Sequence, residues 1–166
     1  MHEKWMRLAL SKAKEALDDG LMPVGAVLVR GDGLLATARK THDSNRLSHA
    51  EINLLNKVLT GNTSLKPYGN LTIYTTLEPC IMCWGTIRHV RIPSLVYALE
   101  DAYGGNTHLA DEQLAPRHRQ DGFTATGGVL REESKALFRQ FLETTDDPFW
   151  RNGGGKELRD VVYEPA

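Results

Sequence analysis

Apolar residues recur at three- and four-residue steps through the first part of the chain, and polar residues fill the positions between them. This period predicts an amphipathic helix over residues 2–19, with Gly20 suited to its C-terminal end. The predicted buried face comprises Trp5, Leu8, Ala9, Ala13, Ala16 and Leu17.

After this helix the pattern changes to short apolar runs of the kind found in strands. Residues 24–29 form the first run, and residues 34–39 form a second run after the turn signal Gly-Asp-Gly at 31–33. A glycine-rich turn between two such runs predicts an antiparallel β-hairpin.

Helical and strand-like patterns alternate through the rest of the chain. Predicted strands cover residues 71–76, 95–99 and 123–126, and predicted helices cover 49–60, 80–90 and 130–143, with a short helix near 106–115. Parallel neighbours need a crossover connection, and the intervening helices supply it, so the later strands are expected to pair in parallel. The alternation predicts an α/β layered fold, and no repeat or linker divides residues 1–166 into more than one domain.

Composition narrows the class of protein without identifying it. The 166 residues are 41% hydrophobic and 25% charged, with a formal net charge of −1. These values are typical of an ordinary globular protein, and the near-zero charge creates no overall field that would attract nucleic acid. No apolar run approaches the roughly 18 residues of a membrane span, and the N-terminus lacks a secretory pattern, so a cytoplasmic location is expected. Two closely spaced cysteines make no disulfide framework.

Two short stretches carry side chains that suit a catalytic zinc ion. Residues 49–51 (His-Ala-Glu) supply an imidazole and a carboxylate, and residues 79–83 (Pro-Cys-Ile-Met-Cys) supply both cysteines of the chain. Cysteines three apart share one face of a helix, and a helix N-terminus favours the thiolate that binds metal. The predicted ligands are His49, Cys80 and Cys83. Three protein ligands leave the fourth tetrahedral position of zinc to a bound water. Zinc lowers the pKa of that water to about 7, so hydroxide is available near neutral pH.

Each stretch also has a simpler interpretation. Ser48 and Glu51 have the spacing of a helix capping box with Ser48 as N-cap. Cys80-x-x-Cys83 alone also fits half of a structural zinc site or a redox-active thiol pair. The presence of both stretches in one chain favours a catalytic zinc site, because H-x-E followed by P-C-x-x-C is the signature of zinc deaminases. In those enzymes the carboxylate transfers protons and is not a zinc ligand. Glu51 is therefore the predicted catalytic residue.

Four segments together resemble the cytidine deaminase superfamily in their order and spacing. They are residues 23–27 (Pro-Val-Gly-Ala-Val), 49–52 (His-Ala-Glu-Ile), 76–83 (Thr-Leu-Glu-Pro-Cys-Ile-Met-Cys) and 127–130 (Gly-Gly-Val-Leu). The likeness extends over about residues 3–143. It is greatest to the branch that holds tRNA-specific adenosine deaminase, guanine deaminase and the fungal-type cytosine deaminase.

This resemblance implies a three-layer α-β-α sandwich around a mixed five-stranded sheet with parallel later strands, assembled as a homodimer. It implies one zinc ion per chain bound by His49, Cys80 and Cys83, with Glu51 as the proton shuttle. The reaction it implies is hydrolytic removal of an exocyclic amino group with release of ammonia.

Base recognition is the point at which this chain departs from the resemblance. That branch carries an asparagine in a Gly-x-Asn context soon after the second strand, whereas residues 37–41 here read Thr-Ala-Arg-Lys-Thr. The candidate substrate contacts are Asn45, Trp84, His108, Asp111, Glu112, Phe149 and Trp150. Aromatic side chains suit stacking on a flat ring. Residues 144–166, which hold the last two candidates, form a C-terminal tail that is a candidate active-site lid.

The sequence favours a zinc-dependent deaminase of a free nucleobase or related small heterocycle, guanine-like or cytosine-like. A tRNA-specific adenosine-to-inosine deaminase is the alternative, opposed by the missing asparagine and by the lack of a basic stripe for tRNA phosphates. A metal-free CxxC thiol redox protein is the alternative of another class. The expected partners are a small aminated heterocycle and a second copy of the chain, with nucleic acid less favoured and no membrane.

Overall fold

The structure is a computed structural model that describes residues 1–42, 45–60 and 65–165. Its strands are β1 (Gly25–Arg30), β2 (Gly33–Arg39), β3 (Leu71–Leu77), β4 (Ser94–Leu99) and β5 (Thr124–Thr126). Its helices are α1 (His2–Asp18), α2 (Ala50–Leu59), α3 (Ile81–His89), α4 (Arg131–Thr144), α5 (Pro148–Arg151) and α6 (Lys156–Tyr163). Two 3-10 turns, Asp111–Gln113 and Pro116–His118, lie between β4 and β5.

The strands form one sheet in the order β2-β1-β3-β4-β5. β1 pairs antiparallel with β2, from Gly25 opposite Arg39 to Arg30 opposite Gly33, which confirms the predicted hairpin. β1 also pairs antiparallel with β3, whereas β3 with β4 and β4 with β5 pair in parallel. The prediction of a mixed five-stranded sheet with parallel later strands is confirmed.

Helices cover both faces of this sheet because side chains of β1 alternate between two apolar clusters. Ala26 and Leu28 belong to the cluster that holds Leu54 and Leu55 of α2. Val27 and Val29 belong to the cluster that includes Trp5 and Met6 of α1. The period of two along the strand thus places α1 on one face and α2 on the other.

Three details differ from the predictions. α2 begins at Ala50 with His49 as its N-cap residue, so Ser48 is not the N-cap. The short helix expected near 106–115 is replaced by the two 3-10 turns. The tail, for which no element was predicted, contains α5 and α6. No helix among the described residues has the length and apolarity that crossing a membrane requires.

Candidate metal centre and active-site cavity

The two motifs meet at the C-terminal end of β3. Leu77 ends that strand, and Cys80 follows as the N-cap residue of α3 in an extended conformation. His49 occupies the same N-cap position at the start of α2. Both motifs therefore place side chains at helix N-termini, where unpaired N–H groups and the helix dipole stabilise negative charge.

These helix starts bring the imidazole and both thiols together. His49 Nδ1 lies 3.6 Å from Cys80 Sγ and 3.5 Å from Cys83 Sγ, and all three ligand atoms lie within 4.8 Å of one another. Zinc bonds of about 2.0–2.1 Å to nitrogen and about 2.3 Å to sulfur at tetrahedral angles separate N and S by about 3.6 Å. The structure thus confirms that His49, Cys80 and Cys83 are positioned to bind a metal ion, and their spacing fits zinc.

The two thiols differ in their affinity for a proton. A hydrogen bond with Cys83 lowers the pKa of Cys80 to about 4. The same pairing raises the pKa of Cys83, as does its burial. The hydrogen bond with Cys80 also raises the pKa of His49 above its ordinary value. The opposite directions of the two shifts make Cys80 the thiol that ionises more readily, and metal binding would release the proton of Cys83.

Glu51 lies beside this cluster with only 3% of its surface exposed. Thr75 Oγ1 donates a hydrogen bond of 2.8 Å to its Oε1, and Cys83 Sγ donates one of 3.3 Å to its Oε2. Burial raises the pKa of this carboxyl. The capping box that the spacing of Ser48 and Glu51 allows does not form, because the Glu51 carboxylate bonds to Thr75 of β3 and Cys83 of α3. A buried carboxyl with a raised pKa suits proton transfer near neutral pH.

A cavity of about 470 Å³ opens beside the metal cluster. His49, Glu51 and Cys80 line it, whereas Cys83 is fully buried behind them. The remaining lining residues are Met22, Val24, Lys40, Arg46, Ala50, Leu77, Glu78, Asp101, Tyr103, Gly104, Phe141, Asp147 and Trp150. A metal ion on the three ligands would therefore face a space whose size is typical of small-molecule sites.

The loop after β4 forms one side of this cavity, and Glu78 fixes its course. The Glu78 carboxylate accepts hydrogen bonds from the backbone N–H of Asp101 at 3.1 Å and of Thr107 at 3.0 Å. Gly105 passes so close that a Cβ there would lie 2.4 Å from that carboxylate, so only glycine fits. The Asp101 carboxylate in turn accepts from the N–H of Tyr103. These bonds hold the loop that brings Tyr103 to the cavity.

The C-terminal helices supply the facing aromatic surface. Trp150 lines the cavity and packs edge-on against Phe141, with ring centroids 6.0 Å apart, and against Tyr103 at 6.4 Å. Phe149 is 47% exposed and contacts both Tyr103 and Trp150 without lining the cavity. A residue of the tail therefore does reach the candidate active site.

The other candidate substrate contacts lie outside the cavity lining. Trp84 is buried in the core and packs edge-on against Phe123. Asp111 forms an ion pair with the buried guanidinium of Arg88 on the far part of α3. Trp84 thus follows the ligand Cys83 directly on α3, yet its side chain belongs to the core.

The remaining three candidates are exposed. Asn45 Oδ1 accepts a hydrogen bond of 3.0 Å from the N–H of Leu47 and so stabilises a turn. His108 and Glu112 lie on the surface of the segment between β4 and β5. None of these three lines the cavity.

Seven charged or aromatic residues that line the cavity were not predicted as site residues. They are Lys40, Arg46, Glu78, Asp101, Tyr103, Phe141 and Asp147. One signal was present for Glu78, Asp101 and Tyr103, because they follow parallel strands at their carboxyl ends, where ligands bind in such sheets. Lys40 immediately follows β2, the position at which the resemblance led us to look for an asparagine.

Comparison with known proteins agrees with this geometry. A family model of the cytidine and deoxycytidylate deaminase zinc-binding region matches residues 1–99. The tRNA-specific adenosine deaminase 2 of Xenopus laevis is 33% identical over 152 residues, covering 85% of this chain and 86% of that protein.

Solved structures extend the likeness to the fold. A deaminase that carries out A-to-I editing at the wobble position of transfer RNA has a TM-score of 0.68 at 28% identity, covering 81% of this chain and 98% of its own. A guanine deaminase from Bacillus subtilis has a TM-score of 0.54 at 28% identity, covering 61% of this chain and 66% of its own.

Proposed function

This chain belongs to the cytidine and deoxycytidylate deaminase zinc-binding family and is a zinc-dependent hydrolytic deaminase, and we propose that it converts an adenosine of a tRNA loop to inosine. The observation that carries the proposal is the similarity to a tRNA-specific adenosine deaminase along 86% of that protein's length. That similarity extends well beyond the zinc-binding region. It favours tRNA over the free nucleobase that the sequence alone suggested.

The residues of the cavity suit the hydrolysis of an amine from a ring. His49, Cys80 and Cys83 would hold the zinc ion, which when bound supplies a Lewis acid that makes water nucleophilic near neutral pH. Glu51 takes a proton from the attacking water, delivers it to the ring nitrogen, and then protonates the leaving amine. Thr75 orients Glu51 through the 2.8 Å bond to Oε1. The proximity of His49 to both sulfur atoms favours zinc over the thiol redox alternative.

The rest of the cavity suits a base that has left its stack. Trp150 and Tyr103 provide aromatic surface, and unstacked bases of single-stranded loops bind on such surfaces. Deaminases reach their target atom only after the nucleotide is extruded or already single-stranded. An adenosine in an anticodon loop is already single-stranded, so little free energy is needed to unstack it.

A free purine base is the second candidate, favoured by the likeness to the guanine deaminase of Bacillus subtilis. Trp150 and Asp147 of the tail line the cavity. In this candidate the tail acts as the lid suggested by the sequence. The homodimer, the cytoplasmic location and the single domain over residues 1–166 remain predictions.

A substrate panel separates the two candidates. We expect the purified protein to form inosine in a tRNA, or in an anticodon stem-loop with an adenosine at the wobble position. Free guanine, cytosine and adenine should release no ammonia above the rate of a Glu51→Gln control. Ammonia release from a free base without inosine formation in any tRNA would overturn the proposal in favour of the second candidate.

A further inference from the structure

Two cations stand at one side of the cavity, on the segment that joins β2 to α2. Lys40 and Arg46 both line the cavity together with His49 and Cys80. The N–H of Thr41, next to Lys40, donates to the carbonyl of Ser48 at 3.1 Å. Ser48 in turn precedes the metal ligand His49.

That backbone is held in place by hydrogen bonds to α2 and β1. The Asn53 amide of α2 donates to the Arg39 carbonyl at 2.9 Å and to Thr41 Oγ1 at 3.0 Å. The N–H of Lys40 donates to the Val24 carbonyl at 2.9 Å. The backbone position of Lys40 is thus set by the fold, as a binding site requires.

Three acidic residues of the cavity outside the β2–α2 segment accept hydrogen bonds from backbone N–H groups. Glu78 accepts from Asp101 and Thr107, Asp101 accepts from Tyr103, and Asp147 accepts from Phe149 at 2.8 Å. The cations of the cavity thus come from the β2–α2 segment, whereas Tyr103 and Trp150 come from the loop after β4 and from the tail.

We propose that Lys40 and Arg46 form an anion subsite that binds a phosphate of the nucleotide whose base reacts, so that the substrate is a phosphorylated unit rather than a free base or nucleoside. The inference rests on the proposed deaminase function and specifies its substrate. A base stacked on Trp150 would share the cavity with both cations, and the phosphate of its nucleotide is the anionic group that they would bind. Arg and Lys bind phosphate by charge-assisted hydrogen bonds.

The test measures inosine formation in an anticodon stem-loop by Lys40→Gln, Arg46→Gln and the double variant. Each single change should raise KM about tenfold, the loss expected for one charged hydrogen bond, and should affect kcat less. Each should also lower the slope of log(kcat/KM) against log[salt] by about 0.7, as for one contact to a single strand. Lys40→Arg and Arg46→Lys should restore most of the affinity.

Arg7→Gln is the matched control, because Arg7 is an exposed cation of α1 that does not line the cavity. It should match the parent protein in KM and salt slope. Zinc content and thermal melting of the variants report whether any loss comes from misfolding. A folded double variant with the parent KM and salt slope would overturn the subsite and leave the tRNA proposal intact.

A second arm compares adenosine with its 5′- and 3′-monophosphates and distinguishes the RNA backbone from a mononucleotide as the source of phosphate. If no tRNA or stem-loop reacts, the proposed function fails, but the subsite still predicts at least a tenfold preference for a phosphorylated purine nucleoside that the double variant loses. Equal kcat/KM for phosphorylated and unphosphorylated compounds, together with no reaction on RNA, would overturn the subsite.

Discussion

The cavity has two walls that the chain builds in different ways. The metal wall consists of His49, Glu51 and Cys80, with Cys83 behind it, and each of these lies at or within one turn of a helix N-terminus beside β3. The outer wall consists of Lys40, Arg46, Tyr103 and Trp150, which come from three separate segments of loop and short helix. The metal wall is therefore set by two sequence motifs, whereas the outer wall exists only after the whole chain has folded.

This difference separates chemistry from selection of substrate. The metal wall combines partly buried ligands with a buried carboxyl, so small displacements there should affect the reaction rate. The outer wall is more exposed and should affect mainly which molecule binds. Variants of the two walls should accordingly differ in whether kcat, KM or stability changes.

The largest expected effect belongs to Glu51→Gln in the metal wall. Glutamine keeps the shape and can still accept the hydrogen bond from Thr75. It cannot carry a proton, so kcat should fall by about 10²–10⁴-fold. Zinc content should stay at the parent level, since Glu51 is not one of the three ligands. A variant with kcat within tenfold of the parent would remove Glu51 from the mechanism.

Trp150→Ala is the corresponding change in the outer wall, with Phe149→Ala as its control. Trp150 is 9% exposed and packs on Phe141, so its loss should lower the free energy of unfolding by about 3 kcal/mol and raise KM. Phe149 is 47% exposed, so Phe149→Ala should lower the free energy of unfolding by about 1 kcal/mol or less. Urea denaturation and steady-state kinetics measure both. Equal losses in the two variants would show that Trp150 has no special place in the cavity.

Gly155→Ala should disturb the outer wall less than removal of the Trp150 ring. Gly155 has φ +63° and a Cβ there would lie 2.3 Å from Trp150, so the ring must move. We expect Gly155→Ala to lower the free energy of unfolding by about 2–3 kcal/mol, because backbone strain and overpacking add together. Gly153→Ala is the control, because Gly153 has φ +86° with no atom within 4 Å of the added Cβ. Gly153→Ala should lower the free energy of unfolding by about 1–2 kcal/mol through backbone strain alone. It should leave KM unchanged.

The smallest expected effect concerns the ion pair that tethers the outer wall to α4. Arg131 bonds to Glu100, the residue before Asp101, and this bond lowers the pKa of Glu100. Both side chains are partly exposed, at 25% and 40%, so Arg131→Gln should cost less than about 1 kcal/mol.

The pH dependence of this loss of stability follows from the lowered pKa of Glu100. Because the folded-state pKa of Glu100 is lowered, the pair stabilises the fold above the ordinary pKa of the carboxyl. That stabilisation disappears as the pH falls through the lowered value. Unfolding measured at neutral pH and in acid should show the difference between parent and variant only at neutral pH. A difference that persists in acid would point to a packing role for Arg131.

The same contrast explains which features the sequence predicts. The hairpin, the parallel later strands and the three ligands follow from local periods and spacings, and all appear in the structure. The capping box failed because tertiary contacts with Thr75 and Cys83 draw the Glu51 side chain inward. A local motif cannot reveal such a competing partner.

The outer wall was largely beyond prediction for a related reason. Lys40 and Arg46 look like ordinary loop cations in the sequence, and only the folded chain places both on the cavity. Trp150 was named from its aromatic character, but Tyr103 reaches the cavity only through hydrogen bonds from its loop to Glu78 and within it. Positions that depend on several distant segments leave little signal in any one of them.

Zinc binding by His49, Cys80 and Cys83 is tested by elemental analysis of the purified parent protein and of Cys83→Ser, alongside deaminase activity. Cys83 lies 3.5 Å from His49 Nδ1 and is fully buried, so the change removes a ligand without altering the cavity lining. We expect about one zinc ion per parent chain, and loss of both zinc and activity in the variant. A parent protein that deaminates its substrate without bound metal, or a variant that keeps full zinc occupancy, would contradict this expectation.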